Sequence, residues 1–268
     1  MSDFKHKKKF GQNFLTHQNE VLEKIMEVSN VTSEDTVIEI GPGEGALTEL
    51  LLDSSKKLFC FEIDRDLEKI LNKKFKDNSK FNLKMGDVLE ADLKEILKDE
   101  QNVKVVANIP YYITSPIINK IIEHRDKISE IYIMVQKEVA ERICSKTGKE
   151  RRVLTLAVEY FGEAEYLFTI PKEFFTPIPK VDSAFMSIKL YNGKYEDMID
   201  ENIFFKYVKA AFSNKRKNIL NNLSTLGYSK DEVREIVKEI GISDNERAEN
   251  ITIEKYIELA KYLENKKK

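Results

Sequence analysis

No apolar run in this 268-residue chain approaches the ~18 residues that a membrane-spanning helix needs, so no membrane partner is expected. Cysteine is scarce. Cys60 and Cys144 stand far apart without metal-type spacing, which points to a reducing compartment, to core-filling roles for both, and to no bound metal. The basic residues 1–9 are not followed by the apolar core of a signal peptide, and a cytoplasmic protein is predicted. Internal repeats are missing, and low-complexity sequence is confined to the lysines at each end. With only ten glycines and six prolines beside 41% hydrophobic residues, the composition is that of a globular chain. Large net charge is missing as well: 44 basic residues against 46 acidic leave −2. Binding to nucleic acid would therefore depend on charge being segregated along the chain.

Segregation is present in two places. Residues 5–9 hold four lysines and a histidine, and residues 204–222 hold Lys206, Lys209, Lys215, Arg216 and Lys217 with no acid among them. The plain alternatives are a solvated helix face for the second run and a partly mobile tail over residues 1–12 for the first. That tail runs into Phe10-Gly11-Gln12-Asn13-Phe14-Leu15. A purely solvating tail has no use for Phe10, Phe14 and Leu15, so this segment is read as folding back onto the domain, over a cofactor.

Residues 19–29 have helical apolar spacing, and Thr36-Val37-Ile38-Glu39-Ile40 reads as a short buried strand. Gly41-Pro42-Gly43-Glu44-Gly45 follows at once, and a helix is predicted over residues 46–52. Strand, glycine turn and helix form the first unit of a nucleotide-binding α/β domain. The glycine spacing departs from the dinucleotide fingerprint, whose third glycine falls one residue later. Glu39 and Glu44 also make the turn a poor cradle for pyrophosphate, so a phosphate-free cofactor with an amino-acid end fits better.

The second predicted strand, residues 58–64, ends in acids about twenty positions after the glycines, the spacing at which a carboxylate accepts ribose hydroxyls. Glu62 is favoured for this role and Asp64 is its competitor. The third strand, residues 81–85, leads to Asp87, placed to accept from an adenine amino group. For each lone acid the plain alternative is a helix cap or turn residue.

A fourth strand, Val103-Lys104-Val105-Val106, delivers Ala107-Asn108-Ile109-Pro110-Tyr111-Tyr112 to the carboxyl edge of the sheet, where ligands bind in open α/β folds. These residues suit a flat ring bearing an amine. Asn108 offers an amide oxygen, the Pro110 carbonyl a second acceptor, and Tyr111 an aromatic face worth roughly 1–3 kcal/mol per stacked base. The plain alternative is a strand-ending proline turn with packing tyrosines. A helix is predicted to begin at Ser115 as cap with Pro116 in its first position.

A fifth strand over residues 128–135 and a helix over 138–143 are followed by the charged stretch Lys146-Thr147-Gly148-Lys149-Glu150-Arg151-Arg152, read as an exposed loop. Residues 153–161 read as helix, and residues 165–170 and 183–190 as strands. Pro177 and Pro179 stiffen the loop between those strands and hold Phe175, read as a second aromatic near Tyr111 in a two-sided clamp. Beyond residue 192 the strand signals stop and four helical patterns remain, over residues 204–212, 217–223, 230–240 and 253–263. The fold expected is a Rossmann-like α/β domain over residues 1–192 and a small all-helical domain over 193–268.

Together these motifs resemble the small-subunit ribosomal RNA adenine dimethyltransferases of the KsgA type, nearly end to end. The segments that carry the resemblance are Phe10 to Leu15, Glu39 to Gly45, Glu62-Ile63-Asp64, Gly86-Asp87, Asn108 to Pro116, Phe175 to Ala184, and Ala211-Phe212-Ser213-Asn214-Lys215-Arg216-Lys217. The Asn-Ile-Pro-Tyr motif is shared among amino-directed methyltransferases, while the Pro-x-Pro-Lys-Val-Asp-Ser-Ala and Phe-Ser-x-x-Arg-Lys segments are narrower.

The resemblance implies a class I methyltransferase using S-adenosyl-L-methionine. It implies that Asn13 and Leu15 line the cofactor site, that Gly41 and Gly43 approach its amino-acid end, that Glu62 binds the ribose and Asp87 the adenine. Asn108 would be both cofactor-binding and catalytic, lying beside the methyl donor and the target base. Pro110 and Tyr111 would complete the catalytic set. Tyr111 and Phe175 would hold the base, and Lys215, Arg216 and Lys217 the RNA. The expected product is N6,N6-dimethyladenosine at two adjacent positions near the 3′ end of small-subunit (16S) rRNA in a precursor particle, made by a monomer. One departure is visible. The family commonly carries a Gly-Ser-Lys-x-Tyr-Gly type loop where this chain has Thr147-Gly148-Lys149-Glu150-Arg151-Arg152, one residue shorter, which bears on the substrate contacts of the loop and not on the reaction.

The rival readings are a large-subunit (23S) adenine methyltransferase of the antibiotic-resistance type, a non-catalytic nucleic-acid-binding relative, and an NAD-dependent dehydrogenase. Val181-Asp182-Ser183-Ala184 with Arg216-Lys217 weighs against the first. The intact Gly41, Gly43, Glu62, Asp87 and Asn108 weigh against the second, and the glycine spacing against the third.

Overall fold

The computed structural model describes residues 14–15, 18–191 and 193–266. Asn13 and the lysine-rich segment before it therefore lie outside the described residues. The chain divides into two compact units, Met1–Ala140 with Ala164–Leu190, and Glu141–Glu163 with Tyr191–Lys268.

The first unit is an α/β structure. Its elements run β1 (Phe14–Leu15), α1 (Gln18–Ser29), β2 (Thr36–Ile40), α2 (Ala46–Ser54), β3 (Lys57–Glu62), α3 (Arg65–Phe75), β4 (Phe81–Met85), α4 (Leu93–Ile96), β5 (Val103–Asn108), α5 (Thr114–Ile122) and β6 (Ile128–Gln136). The chain then passes through α6 (Lys137–Cys144) and α7 (Val153–Phe161), of which α7 belongs to the second unit, and returns to the first with β7 (Gly162–Ile170), β8 (Phe175–Thr176) and β9 (Ser183–Leu190). Seven strands form one sheet in the order β4-β3-β2-β5-β6-β9-β7. From β4 to β6 neighbouring strands are parallel, while β9 runs antiparallel to β6. Strand order reverses on either side of β2, which makes the carboxyl edge of β2 and β5 the switch point where α/β folds bind ligands.

The central strands form where they do because they are largely apolar runs, interrupted by Thr36, Glu39 and Lys104. Every residue of β2 is buried, and so are Val103 to Ala107 of β5, as strands covered on both faces must be. Helices α1, α2 and α3 cover the sheet with Ile25, Leu51 and Leu71, each at most 1% exposed. Asp64 begins α3 by accepting the Asp66 N–H, and Asp92 begins α4 by accepting that of Glu95. Helix α5 differs from expectation. A 3-10 turn over Tyr111–Ile113 runs directly into it, so it starts at Thr114, Ser115 is not its cap, and Pro116 lies within the first turn, where a missing N–H leaves no bond unmade.

The second unit is helical: the end of α6, α7, α8 (Glu201–Ala211), α9 (Ile219–Leu223), α10 (Lys230–Glu239) and α11 (Ile253–Asn265). It departs from a single boundary near residue 192, because α7 belongs with the later helices. The Tyr160 ring of α7 stacks on Phe204 of α8 at 4.6 Å, and its hydroxyl donates to the Ile199 carbonyl at 2.8 Å. The loop before α7 also differs from a wholly exposed one. Arg151 is fully buried, donates to the Ile251 carbonyl at 2.7 Å and pairs with Glu159.

Candidate active site

Four strand ends of the first unit converge on one cavity. Register places Ile40 beside both Phe61 and Ala107, and Glu62 beside Met85, so the residues that follow emerge together. The backbone then locks these exits to one another. Gly41 N–H donates to the Phe61 carbonyl at 2.9 Å, and Gly86 N–H to the Glu62 carbonyl at 2.8 Å. Gly41 has φ +73°, and a Cβ on it would lie 3.4 Å from the Asn108 carbonyl oxygen. The glycine turn and the Asn108 motif are thus in near contact. Gly41, Gly43, Glu62, Asp87, Asn108, Pro110, Tyr111 and Leu15 all line this cavity.

The turn itself is built by glycine chemistry. Gly43 has φ +59° and Gly45 φ +88°, and Gly45 N–H closes on the Pro42 carbonyl at 2.9 Å. Glu62, 4% exposed, braces the turn from below: its carboxylate accepts Gly43 N–H at 3.2 Å and Asp64 N–H at 2.8 Å. With the Ile63 N–H also beside it, the carboxylate still has capacity left to accept a ligand hydroxyl. Asp64 instead faces its own helix as the α3 cap, which separates it from its competitor Glu62. Asp87 accepts Leu89 N–H through Oδ1 at 2.9 Å, holding the carboxylate in an Asx-type turn at the cavity wall. Ile63 lies between these acids, 44% exposed, an apolar surface for a flat ring.

Burial sets the electrostatics. Glu39, 2% exposed, accepts from Thr48 Oγ1 at 2.7 Å and from Cys60 Sγ at 3.4 Å. Burial pushes its carboxyl up to about 7 despite those hydrogen bonds, with the neighbouring Glu62 adding to the rise. Burial raises Glu62 as well, against the backbone N–H groups it accepts. A cavity holding two carboxyls strained towards neutrality favours a ligand with positive charge.

At the end of β5, the Asn108 side-chain amide has no hydrogen-bond partner among the described residues. The Pro110 carbonyl accepts Ile113 N–H at 3.2 Å, so it is engaged once and retains a second lone pair. The Tyr111 hydroxyl shares a 2.5 Å hydrogen bond with Ser183 Oγ, and Tyr112 beside it is 63% exposed at the cavity rim. The donor set fits S-adenosylmethionine. The glycine turn admits close backbone approach, Glu62 and Asp87 offer acceptors for a nucleoside, Ile63 and Leu15 supply apolar walls, and Glu39 suits a cationic centre.

Phe175 is where the structure departs most from the expected site. It is 1% exposed, pairs across β8 and β1 with Leu15, and belongs to the core cluster that also holds Phe168 and Phe185. Its ring supports the strand carrying Leu15 and does not line the cavity, so a clamp of Tyr111 and Phe175 is not present. The physical reason is burial: directly opposed residues of an antiparallel pair share a face, and on that face Phe175 lies within the core cluster while Leu15 reaches the cavity wall.

In the second unit, Lys215, Arg216 and Lys217 are exposed on the loop between α8 and α9. That loop owes its shape to Asn222, a residue the motifs did not single out. Asn222 is 1% exposed and donates to the Ala211 carbonyl at 2.6 Å and the Asn214 carbonyl at 3.1 Å. A polar residue at an apolar-face position of a short helix was the available signal. Leu22, Ile25, Val88 and Met134 of the cavity wall had no such signal, since apolar helix and strand residues look alike whether they face core or ligand.

The model for the family described as "Ribosomal RNA adenine dimethylase" matches residues 3–265. The chain belongs to the ribosomal RNA adenine dimethylase family. Among relatives, the "Ribosomal RNA small subunit methyltransferase A" of Fusobacterium nucleatum is 65% identical, over 98% of this chain and 100% of its own length. The protein of the same description from Clostridioides difficile is 39% identical over 98% and 93%. Among solved structures, a dimethyladenosine transferase from Plasmodium falciparum superposes with a TM-score of 0.77 at 25% identity, covering 93% of this chain and 97% of that one. The 23S rRNA methyltransferase ErmE gives 0.73 at 25% identity, covering 94% and 100%. A Rossmann-like methyltransferase unit followed by helices is thus common to this family of dimethylases, and S-adenosylmethionine is its methyl donor.

Proposed function

We propose that this chain methylates the exocyclic N6 of two adjacent adenosines near the 3′ end of small-subunit (16S) rRNA, giving N6,N6-dimethyladenosine during ribosome biogenesis. The observation that carries the reading is the Asn108 amide at the end of β5, unpartnered among the described residues, beside the glycine turn and flanked by the Pro110 carbonyl and the Tyr111 ring.

An adenine amine is a weak nucleophile because its lone pair is delocalised into the ring. Asn108 Oδ1 and the free lone pair of Pro110 O accept the two amine hydrogens and draw the nitrogen towards a tetrahedral geometry in which the lone pair is available. Bound S-adenosylmethionine supplies an electrophilic methyl group on a sulfonium. Positioning of these fixed acceptors would account for much of the rate, and the alkylated nitrogen, strongly acidic as a cation, would release its proton to water, so no side-chain base is required. The Tyr111 ring stacks the target base once it has left its helix. The monomethylated amine has one hydrogen, so one of the two acceptors goes unused in the second transfer, and the cavity must admit the first methyl group.

Lys215, Arg216 and Lys217 neutralise RNA phosphates. The working form is a cytoplasmic monomer acting on a precursor small subunit. The segments Val181-Asp182-Ser183-Ala184 and Arg216-Lys217 favour the small subunit over the large-subunit reading that the ErmE-like architecture would also allow. The test is Asn108→Ala. Methyl transfer to unmethylated small subunits should fall by at least about a hundredfold, the scale of a lost transition-state donor or acceptor, while cofactor affinity changes little. Unchanged turnover would overturn the mechanism.

A further inference from the structure

Tyr111 lines the cavity, yet it sits in a 3-10 turn and not in a strand or a long helix. Its backbone is held on one side, where the Thr114 hydroxyl donates to the Tyr111 carbonyl at 3.2 Å. That bond does not reach the ring. One further bond restrains it: the hydroxyl at the far end of the ring meets Ser183 Oγ at 2.5 Å.

Ser183 is a firm anchor. It is fully buried and opens β9, paired in register with Gln136 at the end of β6. The residue before it is fixed twice over, since the Asp182 carbonyl accepts Lys137 N–H at 3.0 Å and its carboxylate accepts Lys172 N–H at 3.1 Å. A small hydroxyl residue thus stands at the start of a strand whose next five residues are also buried. Burying a hydroxyl without a partner is unfavourable, and here the partner is the phenol of Tyr111. The bond joins the ends of β5 and β9 and pins the ring at both of its ends.

We infer that Ser183 is a positioning residue for methyl transfer, acting through the Tyr111 hydroxyl to fix the plane on which the target adenine stacks. It touches neither base nor cofactor. A stacking face must stay parallel to the base while the amine is presented to Asn108 and Pro110, and a small loss of alignment is felt in rate more than in binding. The inference rests on the reading of Tyr111 as the stacking residue.

The test is a double-mutant cycle on the full-length chain with unmethylated small subunits and labelled S-adenosylmethionine. Ser183→Ala should lower kcat roughly three- to tenfold, the worth of one hydrogen bond, with cofactor Kd unchanged. Tyr111→Phe should lower it similarly, and adding Ser183→Ala to Tyr111→Phe should cost nothing further. Thermal melts of each variant separate this from loss of fold. A purely structural Ser183 would lower the melting temperature and act equally in both Tyr111 backgrounds, and either that result or an unchanged kcat would overturn the inference. Tyr111→Ala separates the two levels of the argument. If it retains full activity, the stacking reading fails; if it loses activity while Ser183→Ala does not, only the role of Ser183 fails.

Discussion

Replacing Glu39 with Gln should flatten the dependence of stability on pH between about pH 5 and pH 8. Burial raises the Glu39 carboxyl from 4.5 to about 7 in the folded protein, while in the unfolded chain it ionises near its ordinary value. Between those two values the folded state holds a proton that the unfolded state has released, so stability falls as pH rises through the window. The penalty is absent below pH 4.5, where both states are protonated, and complete above about 7. At about 1.4 kcal/mol per pKa unit, the gap between 4.5 and about 7 corresponds to roughly 3 kcal/mol. The bonds from Thr48 and Cys60 already oppose the rise and are included in it. A Gln carbonyl can still accept from Thr48 but does not titrate. The assay is urea unfolding of wild type and Glu39→Gln across this pH range. Cys60 titrates above this range, and Glu62 is linked to Glu39 by charge repulsion, so the difference between the curves reports Glu39 together with that repulsion. The variant should gain on wild type by a few kcal/mol between pH 5 and pH 8. Curves that run parallel would refute the rise of the Glu39 carboxyl by burial.

Two further outcomes follow from local geometry. Gly45→Ala should destabilise by about 2 kcal/mol or more, because its Cβ would sit 2.5 Å from Phe75 Cε2 at a φ of +88°, whereas Gly227→Ala, at φ +93° in open space, should lose only the backbone part of about 1 kcal/mol. Equal shifts in urea midpoint would show that Phe75 yields. Reversing Lys215, Arg216 and Lys217 to Glu should weaken binding to small subunits and lower the salt dependence of log K by about two units, counting roughly 0.7 per lost phosphate contact. An unchanged slope would make the loop a solvated face.

Much of this site was legible because its residues follow strands that bury themselves on both faces. Thr36 to Ile40 and Val103 to Val106 are unbroken buried runs, and what comes directly after such a run must lie at the edge of the sheet. Glu62 was legible from its spacing, and the structure separates it from Asp64 by giving Asp64 to the α3 cap. Phe175 was not legible. Its burial depends on pairing with Leu15, far away in sequence, and an aromatic residue beside prolines reads the same whether it faces ligand or core. The same holds for Arg151, where a run of charges suggested solvent but one guanidinium turns inward to Glu159 and the Ile251 carbonyl. Helix α7 joined the later helices for a related reason: Tyr160 finds Phe204 and Ile199, partners that its own apolar pattern does not name.

The most direct measurement is transfer of labelled methyl from S-adenosylmethionine to unmethylated small and large ribosomal subunits offered separately, followed by nucleoside analysis. The account predicts label as N6,N6-dimethyladenosine in small-subunit rRNA alone. Label in large-subunit rRNA, or tight binding to the small subunit without any transfer, would contradict it.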